Sequence, residues 1–342
     1  MVGPLILVIT GILLLLASGT ALVTGASALA TRFGVPPLIV GLTIVAFGTS
    51  APELMVTVFG SLQGHSSLAY GNVVGSNIAN LGLVLGGAAL VAPVIIEGQL
   101  LRREVPLLLL GTTVLVVMSL DGYFRGTNSL LDRSDGVVLM LLFGIFIYVT
   151  IGDIRKRRED PLVREAELLP GSLLSTADGR RDIMTLVLGM VGLGIGGQLT
   201  VTNGAALASA LGVSPVIVGL FIVAIGTSMP ELVTSIIAAV KKECDLCVGN
   251  VVGSNLMNGL LILPIGAVLR PLKVPPDGLV DLTISLAFTA ALIPVFIIGN
   301  SRLGRPIGAV FLIAYVAYRR RRGPRRLMSE PRCRSGCDAE RR

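Results

Sequence analysis

The sequence predicts an all-α polytopic membrane protein with about ten transmembrane helices, arranged as two inverted five-helix repeats. Three observations carry that prediction. The 342 residues are 53% hydrophobic and only 14% charged, with a mean hydropathy of +0.83, whereas a soluble globular chain carries about 25% charged residues. Apolar stretches long enough to cross a bilayer core of about 30 Å recur along the whole chain. A motif also occurs twice: Gly41-Leu-Thr-Ile-Val-Ala-Phe-Gly-Thr-Ser-Ala-Pro-Glu53 returns 178 residues later as Gly219-Leu-Phe-Ile-Val-Ala-Ile-Gly-Thr-Ser-Met-Pro-Glu231.

The spans fall near residues 4–24, 36–60, 70–95, 104–121, 135–151, 182–204, 214–240, 247–269, 279–299 and 304–318. The first lacks the positively charged leading region of a signal peptide. Residues 23–30 also match 201–208 at the same offset, and a segment whose twin lies mid-chain reads as a retained structural helix. From Val40 to Thr57, twelve of eighteen positions are identical to Val218–Ser235. From Gly71 to Gly82, eight of twelve match Gly249–Leu260, including Gly-Asn-Val-Val-Gly-Ser-Asn in both copies. Gly34, Val35 and Pro37 likewise match Gly212, Val213 and Pro215. Each unit holds five spans, an odd number, so the second enters the membrane from the opposite side. The expected division is a first repeat over 1–151, a connector over 152–181, a second repeat over 182–318 and a basic tail over 319–342.

Charge orients this arrangement. Seven Lys/Arg residues lie between Gly152 and Arg181, headed by Arg155-Lys-Arg-Arg158, which places the connector in the cytoplasm. The net charge of +7 comes with no aromatic-rich basic face, so nucleic acid is not an expected partner. The expected surroundings are the lipid bilayer of the cell inner (plasma) membrane, crossed many times, and a monomer is the working expectation. The C-terminal end fits less well. Ten Lys/Arg follow Tyr318, and the last apolar run, Ile307 to Tyr318, has only twelve residues. Either the tenth helix ends early or does not cross, or the sequence after Tyr318 is atypical, for example through a shifted reading frame. An intact-mass measurement of the C-terminus separates the two. Cys244-Asp-Leu-Cys247 has metal-site spacing, but a zinc site needs four ligands and the only histidine, His65, is remote in sequence; free thiols at a helix end are expected.

The chemistry lies in the repeated motifs. A carboxylate at bilayer depth costs about 2.5–3.5 kcal/mol on insertion scales and is read as functional by default; Glu53 and Glu231 are two of them. Thr49 and Glu53 are four apart and share a helix face, as do Thr227 and Glu231. Asn72, Ser76 and Asn80 form a polar stripe on the following span, matched by Asn250, Ser254 and Asn258. Pro52 and Pro230 deprive the carbonyls of Gly48 and Gly226 of helical partners. Such backbone is tolerated at depth only when buried in protein or lining a wet cavity. Gly71-x3-Gly75 and Gly249-x3-Gly253 offer surfaces for close helix approach. The donors are all oxygens, the set preferred by hard cations, and Ca2+ takes about six to eight of them at about 2.3–2.6 Å. Two glutamates neutralise one divalent or two monovalent ions, as an antiporter requires if competing ions use one site in turn. The stripe residues can also serve as interhelical hydrogen-bonding glue, a reading equally open for Asn72, Asn77, Asn250 and Asn255. The motif spans contain no Lys or Arg to pair with the glutamates. No nucleophile–base pair or cofactor motif appears, so neither an enzyme nor a cofactor is expected.

With G-T-S-x-P-E followed by G-N-x-x-G-S-N in both halves, the chain resembles the cation/calcium exchanger superfamily, and most of all its prokaryotic sodium/calcium exchangers. The resemblance runs through the ninth span. It implies ten helices in inverted five-helix repeats, and exchange of Ca2+ against Na+, K+ or H+ according to branch. Carried over by position, Glu53 and Glu231 would be the central carboxylates bridging Ca2+ and Na+ sites. Thr49, Ser50, Thr227 and Ser228 would serve mainly Na+, with carbonyls near the breaks. Ser76, Asn80, Ser254 and Asn258 would complete the cluster. Some prokaryotic relatives have aspartate where this chain has Asn258, which leaves proton coupling and stoichiometry open. The expectation is a secondary antiporter that exports Ca2+ using inward Na+ and slides its first and sixth helices over a fixed core. The nearer alternative is a Ca2+/H+ or K+-dependent exchanger on the same site. The more distant one is a passive cation channel, which the inverted repeats argue against.

Overall fold

A computed structural model describes residues 2–95, 103–122, 129–158, 176–211, 227–298 and 302–322. Its helices are α1 (Val2–Arg32), α2 (Pro37–Thr49), α3 (Ala51–Leu62), α4 (Ser66–Val91), α5 (Val105–Ser119), α6 (Arg133–Arg158), α7 (Thr176–Ala210), α8 (Met229–Val240), α9 (Cys244–Leu269), α10 (Gly278–Ile298) and α11 (Arg305–Arg322). Six described helices are long and apolar enough to cross a membrane, and seven if α2 and α3, bent by 48° at Ser50, count as one span. The helices α5 and α8 are shorter apolar segments. The part of the seventh expected span at 214–226, with the motif residues Gly219 to Gly226, lies outside the described residues, as do Gly212, Val213 and Pro215.

Burial sorts the helices into a centre and a rim. In α4 and α9, 78% of the apolar window is buried inside the protein, against 17–33% in α1, α6, α7 and α10. The two central helices carry the G-N-x-x-G-S-N motifs. Small residues let them sit there: a Cβ on Gly249 would fall 2.6 Å from the Leu38 carbonyl oxygen of α2. The rim helices turn Leu13, Leu141 and Leu188 outward, as expected of a surface solvated by lipid.

The rim helices α1 and α7 pack against each other along their length. The fit depends on small residues at the crossing: a Cβ on Gly189 would lie 2.6 Å from the Leu22 backbone nitrogen. One end of the pair is closed by an Arg32 Nε–Asp182 Oδ2 ion pair at 3.0 Å. Near the same end, α1 is tied to the segment after α8: Lys241 Nζ donates to Thr24 Oγ1 at 2.7 Å, and Ser27 Oγ donates to Glu243 Oε1 at 2.7 Å.

Several expectations need correction. The first and sixth expected spans, 4–24 and 182–204, lie within the longer helices α1 and α7, whose Arg32 and Asp182 pair with each other. Within the connector expected over 152–181, α6 carries Arg155-Lys-Arg-Arg158 in its last turns and α7 starts at Thr176, while 159–175 lie outside the described residues. Among the described residues, four two-residue strands interrupt the all-α pattern: β1 (Val94–Ile95), β2 (Leu130–Leu131), β3 (Leu272–Lys273) and β4 (Arg302–Leu303). They pair antiparallel as β1 with β4 and β2 with β3. The pairing is reciprocal: β1 follows α4 and β3 follows α9, the same place in each repeat, and each joins the other half of the chain. The tenth expected span is a helix of 18 residues, about 27 Å at 1.5 Å per residue. It does not end early, because a Tyr315 packed on Gly82 and a Gly308 carbonyl packed on Gly86 hold it against α4. The tail from 323 to 342 lies outside the described residues.

Candidate ion-binding site

A break at Ser50 (φ −87°, ψ 6°) separates α2 from α3, and Ser228 (φ −89°, ψ 9°) has the same non-helical geometry just before α8; each following helix starts with Pro52 or Pro230 in its first turn. Proline is tolerated there because its missing N–H is an orphan position anyway. The same turn contains Glu53 or Glu231, where the partial positive charge of a helix N-terminus favours a carboxylate. In this way the sequence Ser-x-Pro-Glu places one hydroxyl and one carboxylate at each break, in the interior of the protein. Both glutamates are 0% exposed.

The two breaks are joined by hydrogen bonds that cross between repeats. Ser50 Oγ donates to Glu231 Oε1 at 3.1 Å. Ser76 Oγ donates to Glu53 Oε1 at 3.2 Å and also lies 3.2 Å from Ser228 Oγ. Thr49 Oγ1 contacts Asn250 Oδ1 at 3.1 Å and Ser254 Oγ at 3.4 Å. Of the ten sequence-derived candidates, Glu53, Glu231, Thr49, Ser50, Ser76, Asn80, Ser228, Ser254 and Asn258 are all buried. The amides of Asn80 and Asn258 stand where α4 and α9 widen into π-helical turns, Asn80–Leu85 and Asn258–Ile262; such turns recur at functional sites. Thr227 is half-buried at the edge of the described segment, and among the described residues no hydrogen bond joins it to the cluster.

One oxygen on each of the two carboxylates and the two amides has no partner among the described residues, and neither has Asn258 Nδ2. Glu53 Oε2, Glu231 Oε2, Asn80 Oδ1 and Asn258 Oδ1 are buried and unpaired. A buried polar group left unpaired costs about 1–3 kcal/mol and more if charged, and Asn80 and Asn258 make no hydrogen bond to either glutamate among the described residues. No Lys or Arg pairs with either glutamate among the described residues.

The asparagines with two readings resolve mostly as scaffold. Asn72 Nδ2 donates to the Glu53 carbonyl at 3.2 Å and to Thr57 Oγ1 at 3.4 Å, and Asn250 Nδ2 donates to Ser235 Oγ at 3.0 Å. Asn255 bridges α9 to α4. Sequence reasoning missed Thr57 and Ser235, which receive these bonds and are fully buried. The signal was present: they lie four residues beyond Glu53 and Glu231, on the same helix face, 178 apart. Cys244 and Cys247 are free thiols near the start of α9.

Comparison with known proteins identifies the family. The family described as sodium/calcium exchanger protein matches residues 3–152 and 182–319, so the match includes α11 up to Arg319. The chain is 36% identical over 325 residues to the putative antiporter CaxA of Alkalimonas amylolytica, covering 92% of this chain and 96% of that one. It is 38% identical over 294 residues to the inner membrane protein YrbG of Escherichia coli (strain K12), covering 82% and 86%. A solved structure of the sodium-calcium exchanger NCX_Mj, soaked with zero Na+ and Ca2+, superposes with a TM-score of 0.77 at 28% identity, covering 92% of this chain and 96% of that one. These relatives are membrane proteins and exchangers rather than enzymes. A helical membrane protein with this motif pair, matched over nearly its whole length, belongs to the sodium/calcium exchanger family.

Proposed function

We propose that the protein is a secondary antiporter that exchanges Ca2+ for Na+ across the inner (plasma) membrane, at a midplane site formed by Glu53 and Glu231. Thr49, Ser50, Thr227, Ser228, Ser76, Asn80, Ser254 and Asn258 supply the remaining side-chain oxygens. The single observation that carries this reading is the set of four buried, unpaired oxygens on Glu53, Glu231, Asn80 and Asn258. Two carboxylates balance one Ca2+, and the ligand set is the oxygen-only one that hard cations select. The transported ions are the only ligands invoked, with no cofactor, and one chain is enough to build the site.

The architecture proposed for this function is two inverted five-helix repeats, 1–151 and 182–318, flanking a cytoplasmic connector and followed by the basic tail 319–342. The reciprocal strand pairs and the reciprocal breaks at Ser50 and Ser228 support it. Alternating access then moves α1 and α7, which pack mainly on each other, relative to the core around α4 and α9. A disulfide engineered between α1 and the core should abolish exchange and restore it on reduction. Unchanged flux in the oxidised protein would rule out movement of α1.

The assay is 45Ca2+ uptake into proteoliposomes loaded with Na+ and diluted into Na+-free medium, with a pH-gradient control. Uptake that requires internal Na+ is the expected result. Uptake driven only by the pH gradient would move the protein to proton-coupled exchange.

A further inference from the structure

We infer that Asn77 and Asn255 are positioning residues for the two site amides, and that their contacts alternate with the access state: Asn255 holds Asn80 in this conformation, and Asn77 holds Asn258 in the opposite one. The inference rests on the antiporter reading above. Asn77 and Asn255 occupy the same place in the two repeats, as do Asn80 and Asn258. An inverted pair of equivalent halves should offer every inter-repeat contact twice, once in each direction.

One direction is made. Asn80 Nδ2 donates to Asn255 Oδ1 at 3.0 Å, which fixes the amide plane of Asn80 and leaves its Oδ1 free for an ion. Asn255 Nδ2 donates to the Asn77 carbonyl at 3.2 Å, which fixes Asn255 in turn. The mirror contact would run from Asn258 Nδ2 to Asn77 Oδ1. Those two atoms are both buried and both without a partner among the described residues, and the side chains are 0% and 5% exposed. The two segments adjoin: Asn77 Nδ2 lies 3.9 Å from where a Cβ on Gly259, the residue after Asn258, would stand. Asn77, Asn255 and Gly259 line one small cavity of about 10 Å³, room for about one water.

A buried donor and a buried acceptor on adjoining segments, each unpaired, can satisfy one another if side chain or backbone rotates to bring them together. The π-helical turns beginning at Asn80 and Asn258 supply local slack for it. In this conformation Asn80 is a fixed ligand and Asn258 a loose one. When the protein opens to the other side, the roles exchange. Each face then meets a site with one rigid amide and one mobile amide, which lets an ion bind tightly and still leave.

The test uses the full chain in vesicles of defined orientation, with the KM for Ca2+ measured from each face. Asn255→Ala should raise KM about tenfold at one face only and leave kcat little changed. Asn77→Ala should do the same at the opposite face. The volume-conserving Asn255→Leu and Asn77→Leu should repeat the pattern if the alanine variants fold poorly, with the melting temperature reporting folding separately. Adding Asn255→Ala to Asn80→Ala should cost nothing further at the Asn255 face, because Asn255 acts there only through the Asn80 amide, which is already gone. Equal effects at both faces, or no effect at either, would overturn the alternation while leaving the antiporter reading intact. Wild-type vesicles that take up no Ca2+ under any gradient would overturn both.

Discussion

Replacing Glu53 or Glu231 with glutamine is expected to reduce Na+-driven Ca2+ uptake by at least about a hundredfold. Removing one charge from a buried, water-excluded pair costs about 3–5 kcal/mol, and each 1.4 kcal/mol is about tenfold in affinity. The shape of the site survives, because glutamine keeps an oxygen for Ser76 or Ser50 to donate to. Both variants should therefore fold. In the ion-free protein they should be at least as stable as wild type, since one of the two buried carboxylates without a counter-charge is removed. Ca2+ at about 100 times its Kd should stabilise the wild type by about 2.7 kcal/mol, visible as a higher melting temperature. In either variant that shift should vanish at the same Ca2+ concentration. A variant that keeps both uptake and the Ca2+-dependent shift would remove its glutamate from the site.

The second large effect is expected at Gly253, where α9 crosses α2. A Cβ there would stand 2.5 Å from the Leu42 carbonyl oxygen, 2.6 Å from Leu42 Cα and 2.8 Å from its carbonyl carbon. All three are backbone atoms, so no side-chain rotation relieves the clash and the helices must separate. Overpacking of this kind costs about 1–3 kcal/mol. The damage should also reach the ions, because the contacts of Thr49 with Asn250 and Ser254 span the same crossing at 3.1 and 3.4 Å. Gly253→Ala should thus lower the melting temperature and weaken Ca2+ binding together. Gly60→Ala is the control, since its nearest contact would be an ordinary 3.6 Å to the Ala69 side chain. Equal melting temperatures for the two variants would show that the crossing relaxes without strain.

The sequence was informative where physics depends on local pattern. Ser-x-Pro-Glu dictates a helix break with a hydroxyl and a carboxylate beside it, and the structure breaks at Ser50 and holds Ser228 in the same non-helical geometry before α8. The i, i+4, i+8 spacing of Asn72, Ser76 and Asn80 puts them on one face, and all three face the first motif or the opposite repeat. Element ends were less legible. The lengths of α1 and α7 follow from contacts such as Arg32 with Asp182, made by residues 150 positions apart, which hydropathy does not register. The two-residue strands escaped for the same reason, since each is defined by its partner in the other half of the chain.

By itself the sequence determined that this chain lies in a membrane, that it is built from two related halves, and that each half buries one glutamate among oxygen donors. These follow from composition, parity and spacing, which act within one segment. Only the tertiary structure decided that Ser50 serves Glu231 while Ser76 serves Glu53, that Thr57 and Ser235 hold the supporting asparagines, and that Asn80 is tied while Asn258 is not. Periodicity fixes which residues share a helix face but not how one helix is rotated against another. Nor can two identical motifs reveal in which of two inequivalent packings each copy rests.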